Sequence, residues 1–426
     1  MTMTPWGESA ELRERRLQPG PGVPRKEVEE NQRERLYGAT VAAVANKGYG
    51  KTTVSDLIEL AGVSRTTFYR YFDDKEACFL KTLELLLVGI AGLTRVGLQG
   101  EGSWQDRSVT GMQIFIGVLV TQADAARICV VESDAAGPKA VAMVDEAAAE
   151  FGGMLVDVFE ELPDQRGMPK EIIDVMVGGV RKVLQTRLQR RTEAELIELV
   201  PALVELGLSY RPPPRKLPDR ASRGKDTPTI EVQQGIDEPA QRMERAAMGV
   251  IAEVGYGDAT MAEIARRAKV SLATLYANFE DKSDLFEAAL LRCRLRMLAS
   301  VMPAYRRAST WPEGMAALTR ASLAFLEAEP DFARLITVDV HGVGNASVEA
   351  RDRALDATRH FIEAGLAYAE IDNPVAAEAI QSALYSMLAA RVRSRHKNLR
   401  GMAPLAIYVI LAPFLGRDEA YKLAVR

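Results

Sequence analysis

Residues 48–79 read GYGKTTVSDLIELAGVSRTTFYRYFDDKEACF, and residues 255–286 read GYGDATMAEIARRAKVSLATLYANFEDKSDLF. The two stretches align without a gap at an offset of 207 positions, with 13 identities in 32 pairs. An internal repeat sets the architecture before any single element is assigned. It also settles a competing reading of the opening words. Gly50-Lys51-Thr52 has the form of the end of a nucleotide-binding loop, which needs a first glycine five positions before the second and a preceding strand. Ala45 holds that place, inside the helix-periodic stretch LYGATVAAVANKGYG, and the second copy has Asp258 where the first has Lys51. The nucleotide reading fails.

The chain has 426 residues, enough for two or more domains with real cores. Its 54 Lys/Arg against 58 Asp/Glu give a net charge of −4, so nucleic-acid contact has to come from a local patch. Ala, Leu, Glu and Arg dominate and aromatics are only 6%, a composition that favours helix. Cys78, Cys129 and Cys293 lie far apart in apolar helical stretches. They imply a reducing compartment without a disulfide or metal framework. No apolar run reaching the length of a membrane helix and no signal-peptide core are read, so a cytoplasmic protein without membrane association is expected.

Residues 1–28 are charged, rich in Gly and Pro and without periodicity, and are expected to be a disordered N-terminal arm. Helical spacing then runs through a first head (29–79) and a first body (80–210), with no convincing strand alternation. The Pro-clustered, highly charged stretch 211–239 reads as a linker. Helical spacing resumes in a second head (240–286) and a second body (287–426). The repeat offset continues into the bodies, where Asp124, Ala126, Arg127 and Gly137 face Asp331, Ala333, Arg334 and Gly344. The fold class is all-α, in two similar modules.

Each copy carries a compact pattern of caps. Thr53 is a good N-cap for VSDLIELA, whose apolar face is Val54, Leu57, Ile58 and Ala61. Gly62 ends that helix, Val63 fills the corner, and Ser64 caps RTTFYRY, with Phe68 and Phe72 facing the core. Two short helices joined by such a turn form a helix-turn-helix, whose second helix enters a DNA groove. The second copy repeats it with Thr260, MAEIARRA, Lys269-Val270, Ser271 and LATLYANF.

Both stretches resemble the DNA-binding domain of TetR/AcrR-type transcriptional regulators, which carry a Val-Ser-x-x-Thr-x-Tyr-x-x-Phe-x-x-Lys run. Val63, Ser64, Thr67, Tyr69, Phe72 and Lys75 fit it, and so do Val270, Ser271, Thr274, Tyr276, Phe279 and Lys282. The match covers roughly fifty residues in each copy. The resemblance implies two tandem modules, each a three-helix DNA-reading head on a helical ligand-binding and dimerising body. It also implies that the last two helices of each body join in an interface, here as a pseudo-dimer within one chain, which would then be a monomer.

Candidate DNA contacts follow. Thr53 and Thr260 head helices whose free N–H groups favour phosphate, although capping alone also accounts for them. Ser64, Arg65, Thr66, Thr67 and Arg70 are placed on the exposed side of the recognition helix, with Arg65 and Arg70 the candidates for reading guanine. Tyr69, Tyr71 and Lys75 resemble the family's phosphate clamps, and Lys51 adds a backbone contact ahead of the second helix. In the second head Ser271, Leu272, Ala273, Thr274, Tyr276, Asn278 and Lys282 take the corresponding places. Leu272, Ala273 and Ala277 replace Arg65, Thr66 and Arg70. Residues 33–75 hold seven Lys/Arg and five Asp/Glu, net +2, whereas residues 240–282 hold six of each, net zero. Apolar contact with thymine methyls and loss of DNA binding are both open for this head. The segment PRKEVEENQRER, with Arg25, Lys26, Arg33 and Arg35, is either a minor-groove arm or a solvated charge run.

The expected partners are double-stranded DNA and an unidentified small-molecule effector, with no cofactor. Arg127 beside Glu132 and Arg334 beside Asp339 read as structural ion pairs, and His341, His360 and His396 do not cluster. Without a catalytic constellation the leading function is a ligand-relieved repressor reading an asymmetric operator, not an enzyme. The alternative is a sensor or scaffold that acts through protein partners.

Overall fold

The computed structural model describes residues 2–17, 23–219, 239–339, 358–369, 372–373, 375–395 and 398–426. Among the described residues the fold is all-α apart from one short antiparallel pair, Met3–Thr4 with Gly7–Glu8. By internal contacts it divides into two units, Met1–Arg166 with Val180–Glu205, and Gly167–Gly179 with Leu206–Arg426.

In the first head α1 (Arg25–Lys51), α2 (Val54–Ala61) and α3 (Arg65–Tyr71) enclose a core of Leu36, Ala39, Leu57, Ala61, Phe68 and Phe72. Local chemistry sets the boundaries. Gly48, at φ 77°, interrupts α1, so that GYGKT is a kinked helix end and not a loop. Thr53 and Asp56 form a reciprocal capping box at the start of α2. Gly62 stands in the left-handed region at φ 60°, where its amide and that of Val63 satisfy the carbonyls of Glu59 and Ile58. Ser64 caps α3, and Asp74 caps α4 (Lys75–Leu98) by accepting from the Ala77 amide at 2.8 Å.

The first body continues with α5 (Trp104–Thr121), α6 (Ala123–Arg127), α7 (Ser133–Ala136), α8 (Pro138–Glu160), α9 (Lys170–Arg190) and α10 (Leu196–Ser209). A π-helical turn, Ile128–Glu132, separates α6 from α7. Gly97 and Gly111 let α4 and α5 approach closely: a Cβ on Gly97 would lie 2.8 Å from the Gly111 Cα.

The second head repeats the first with α11 (Pro239–Asp258), α12 (Met261–Ala268) and α13 (Leu272–Asn278). Thr260, Ser271 and Asp281 serve as caps, and Gly255 (φ 83°) takes the place of Gly48. At the corner, Lys269 occupies the left-handed region at φ 58° where the first head has glycine. The second body holds α14 (Lys282–Arg306), α15 (Trp311–Ala328), α16 (Pro330–Arg334), α17 (358–369), α18 (Ala376–Arg393), α19 (Ala403–Leu415) and α20 (Arg417–Val425). Its π-helical turn, Leu335–Asp339, falls 207 positions after that of the first body.

Parts of the first half of the sequence belong to the second unit. The Ser386 hydroxyl of α18 donates to the Gly178 carbonyl of α9 at 2.9 Å, and a Cβ on Gly179 would lie 2.6 Å from the Ala379 carbonyl oxygen. Tyr210 donates to the Val409 carbonyl, Tyr408 donates to the Arg211 carbonyl, and Arg391 pairs with Asp219. The expected linker therefore begins as packed chain, and residues 220–238 of it lie outside the described residues. So do His341, His396 and the rest of residues 340–357 of the second body.

Three expectations need correction. The N-terminal arm is folded over residues 2–17: Trp6 packs on Tyr37 with ring centroids 5.3 Å apart, and Leu12 is fully buried in the head core. Leu12 can enter because Gly38 of α1 leaves room for it. A Cβ there would lie 2.9 Å from Leu12 Cδ2. Secondly, of the two readings of PRKEVEENQRER the minor-groove arm does not hold, because the segment starts α1 with Arg25 and Lys26 exposed, and against either reading Arg35 is buried, donating to the carbonyls of Ala61 and Gly62. Finally, α4 is long and apolar enough to cross a membrane by length and composition, with mean hydropathy 1.7. One face of it packs inward through Cys78, Phe79, Leu83 and Leu86, while Val88, Leu93 and Val96 are exposed.

Leu12→Ala is expected to lower the unfolding free energy by about 2–5 kcal/mol, as for other fully buried leucines, read as a lower urea midpoint. Lys269→Gly is expected to raise stability by up to about 1 kcal/mol, because relief of left-handed strain outweighs glycine's greater unfolded-state freedom.

Candidate DNA interface

The surface of α3 is built outward from its buried side. Phe68 is fully buried and its ring meets that of Phe72 at 5.8 Å, so Arg65, Thr66, Tyr69 and Arg70 are left exposed. Arg65 lies 5.9 Å from the Tyr69 ring, and Tyr69 is 47% exposed. Among the described residues Arg70 has no hydrogen-bond or ion-pair partner. Ser64 and Thr67 are joined through their hydroxyls at 2.8 Å, and Ser64 also accepts from the Thr67 amide at 3.0 Å. Thr53 donates its hydroxyl to Asp56 at 2.8 Å, and Lys51 is exposed at the end of α1.

Tyr71 and Lys75 are turned to the protein. The Tyr71 hydroxyl donates to Gln32 Oε1 at 2.8 Å, with Arg33 stacked 5.9 Å from its ring. The Lys75 ammonium donates to the Tyr49 carbonyl at 2.8 Å and lies 4.1 Å from the Tyr49 ring, and burial lowers its pKa. Both side chains thereby fasten the ends of α3 and α4 to α1.

Tyr49 is the point where the first body meets its head. Its ring stands edge-on to Phe79 at 4.8 Å, and its amide donates to Glu132 Oε2 at 2.8 Å. Glu132 ends the π-helical turn, so a carboxylate of the body holds the kink of α1. This corrects the expected Arg127–Glu132 pair. Arg127 instead binds Asp124 and Glu193 and donates to the Leu188 carbonyl. Sequence reasoning missed the Glu132–Tyr49 contact, since nothing in the spacing of two residues 83 apart signals it.

On α13 the corresponding surface is apolar. Leu272 and Tyr276 are 44% and 52% exposed, and Ala273, Thr274 and Ala277 are exposed beside them. Ser271 caps Thr274, Thr260 caps Glu263, and Asn278 Nδ2 donates to the Thr274 carbonyl at 2.8 Å. Three of the four nearby cations are occupied, while Lys269, at the corner, is exposed without a hydrogen-bond or ion-pair partner among the described residues. Arg266 is bound to Glu263, Arg267 to Glu253, and Lys282 donates to the carbonyls of Tyr256, Gly257 and Ala259. The two heads thus share a frame and differ in charge available at the surface.

Residues 36–82 and 245–289 each match the family model of bacterial regulatory proteins, tetR family. The two heads are TetR-family DNA-binding domains, carried as a tandem duplication. Regulators of that family are DNA-binding transcription regulators. No curated protein matches the chain. Among solved structures, the regulator FadR from Bacillus subtilis, in complex with stearoyl-CoA, is 17% identical, with 40% of this chain and 95% of that one aligned at a TM-score of 0.37. FadR from Bacillus halodurans is 16% identical over 41% of this chain and 96% of that one, TM-score 0.37. A TetR-like regulator from Rhodococcus sp. RHA1 is 22% identical over 43% and 100%, TM-score 0.36. At scores this low the family assignment rests on the two head matches.

Burial raises the pKa of Glu132, while the Tyr49 amide opposes that shift. A carboxyl raised in the folded state favours folding when protonated, and this contribution disappears as pH rises through the folded pKa. Glu132→Gln keeps an acceptor for Tyr49 without the charge. Melting curves from about pH 4 to 8 are expected to show the variant gaining on wild type as pH rises.

Proposed function

We propose that this TetR-family protein is a repressor released by a small-molecule effector and reads an asymmetric operator with two unlike heads. The observation that carries the proposal is the contrast between α3 and α13. Arg65 and Arg70 are exposed on α3, and a guanidinium placed bidentate on guanine contributes about 1–3 kcal/mol of discrimination. α13 offers Leu272, Ala273 and Ala277, which suit thymine methyl groups, while Tyr276 reaches toward backbone phosphate. Lys51, Thr53, Ser64, Thr66, Thr67, Tyr69, Thr260, Ser271, Thr274 and Asn278 complete the two surfaces in this reading. Tyr71, Lys75 and Lys282 act chiefly by bracing the helices.

The two halves form a pseudo-dimer within a monomeric chain in this proposal. Support comes from the second unit, in which residues 170–179 of α9 and residues 206–219 pack with α18 and α19. A symmetric regulator needs a palindrome because its heads are identical, whereas unlike heads on one chain remove that requirement. Effector binding in a body acts only through different affinities for the DNA-competent and incompetent states. The Glu132 contact to Tyr49 is the proposed route from the first body to its head.

The paired arginines and engaged Lys282 of the second head favour one further reading, in which that head contributes little to DNA binding. Selection from random duplexes by wild type and an Arg65→Ala, Arg70→Ala variant separates them. Two unlike half-sites, one blurred by the variant, are the expected result. A palindrome would mean that two chains pair their first heads. No enrichment at low salt would overturn DNA reading and leave a sensor acting through protein partners.

A further inference from the structure

The second head has Lys269 at its helix-turn-helix corner, whereas the first, with Gly62 there, receives a cation from the folded N-terminal segment. Residues 11–15 form a tight turn in which the amides of Glu14 and Arg15 donate to the Glu11 carbonyl at 2.9 and 3.0 Å. Leu12, in that turn, is anchored in the head core. Arg13 follows it and lies against the left-handed corner of the helix-turn-helix. A Cβ on Gly62 would stand 3.1 Å from Arg13 Cγ and 3.5 Å from its Cα. The corner is two residues from Ser64, which caps α3.

The surrounding contacts hold this placement in two directions. Asn31 of α1 donates to the Arg15 carbonyl at 3.1 Å and accepts from the Leu17 amide at 3.2 Å. Asn31 also accepts from Arg35 Nε, and Arg35 continues to the carbonyls of Ala61 and Gly62. The segment and the corner are thereby tied to the same two residues of α1. Arg15 is committed to the Trp6 carbonyl, whereas Arg13 is exposed and, among the described residues, has no hydrogen-bond or ion-pair partner. The second head has Arg245 where Gly38 admits Leu12. A side chain of that size closes the seat that the segment uses.

We propose that Arg13 contacts a DNA backbone phosphate at the edge of the groove entered by α3, a contact that reaches the first head from outside the repeat. The inference rests on the DNA-reading function proposed above. In a helix-turn-helix complex the recognition helix leads with its N-terminal residues into the major groove, so its preceding corner lies beside the sugar-phosphate wall. A guanidinium held there without a protein partner neutralises a phosphate and releases counterions, and it carries no base preference. The arm's acidic residues, Glu8, Glu11 and Glu14, balance its three arginines in number, so the effect depends on the location of Arg13 and not on net charge.

The test is duplex binding by the full chain over a range of salt, using a sequence enriched by the wild type. Arg13→Ala is expected to weaken binding about three- to tenfold and to flatten the plot of log affinity against log salt by about 0.9, the value for one phosphate. Arg13→Lys is expected to restore the slope. Selection with Arg13→Ala is expected to return the wild-type sequence, and its melting temperature is expected to match wild type, unlike that of Leu12→Ala. An unchanged affinity and slope in wild-type-like folded protein would overturn the contact alone. A changed sequence preference would make Arg13 a base reader and overturn the phosphate assignment. A wild type without duplex affinity would overturn the regulator reading and this contact together.

Discussion

The left-handed residue at the corner between the second and third helices of each head fixes where the recognition helix points. One residue with φ near 60° reverses the chain, satisfies two carbonyls at the end of the preceding helix and delivers a serine to cap the next. Its conformation costs a glycine almost nothing and an L-residue about 1–2 kcal/mol. The first head uses Gly62 and then braces the corner from behind with buried Arg35 and the folded N-terminal segment. The second accepts the strain at Lys269. Everything exposed on α3 and α13 inherits its position from these corners.

Duplication preserved the frame more closely than the surface. Both heads keep the kinked glycine, the threonine and serine caps, and a lysine at the start of the fourth helix donating to the tyrosine carbonyl. Those residues do mechanical tasks that any copy must perform. The residues on the outer face of the recognition helix perform none, so arginines can become leucine or alanine without disturbing the core. This is why two heads of the same fold carry different chemistry on their outer faces.

The π-helical turns show the same principle in the bodies. Each widens a helix at the same place in the repeat. In the first, the turn ends on a carboxylate that reaches back to the kink of α1. A partly buried carboxylate bound to one backbone amide is an economical link between body and head, because a small displacement of the turn alters both its solvation and its hydrogen bond. Kinks of this sort have identifiable local causes, and here the glycine and the carboxylate act on adjacent residues.

The sequence by itself determined the repeat, the caps, the corner and the family. These depend on residues within a few positions of one another, where residue type and spacing carry the physics. It also put Phe68 inside and Arg65, Thr66 and Arg70 outside on α3, since helical periodicity fixes them, but it did not foresee that Tyr71 turns back to Gln32 of α1. Only the tertiary structure decided the fate of the N-terminal segment. Trp6 and Leu12 look like isolated apolar residues in a charged stretch until α1 receives them, Leu12 in the seat that Gly38 leaves and Trp6 against Tyr37. The same holds for Arg35, which reads as a surface charge but is buried against the carbonyls it satisfies, and for Glu132, whose partner is 83 residues away. Long-range pairing depends on which surfaces folding brings together, and no local pattern records it.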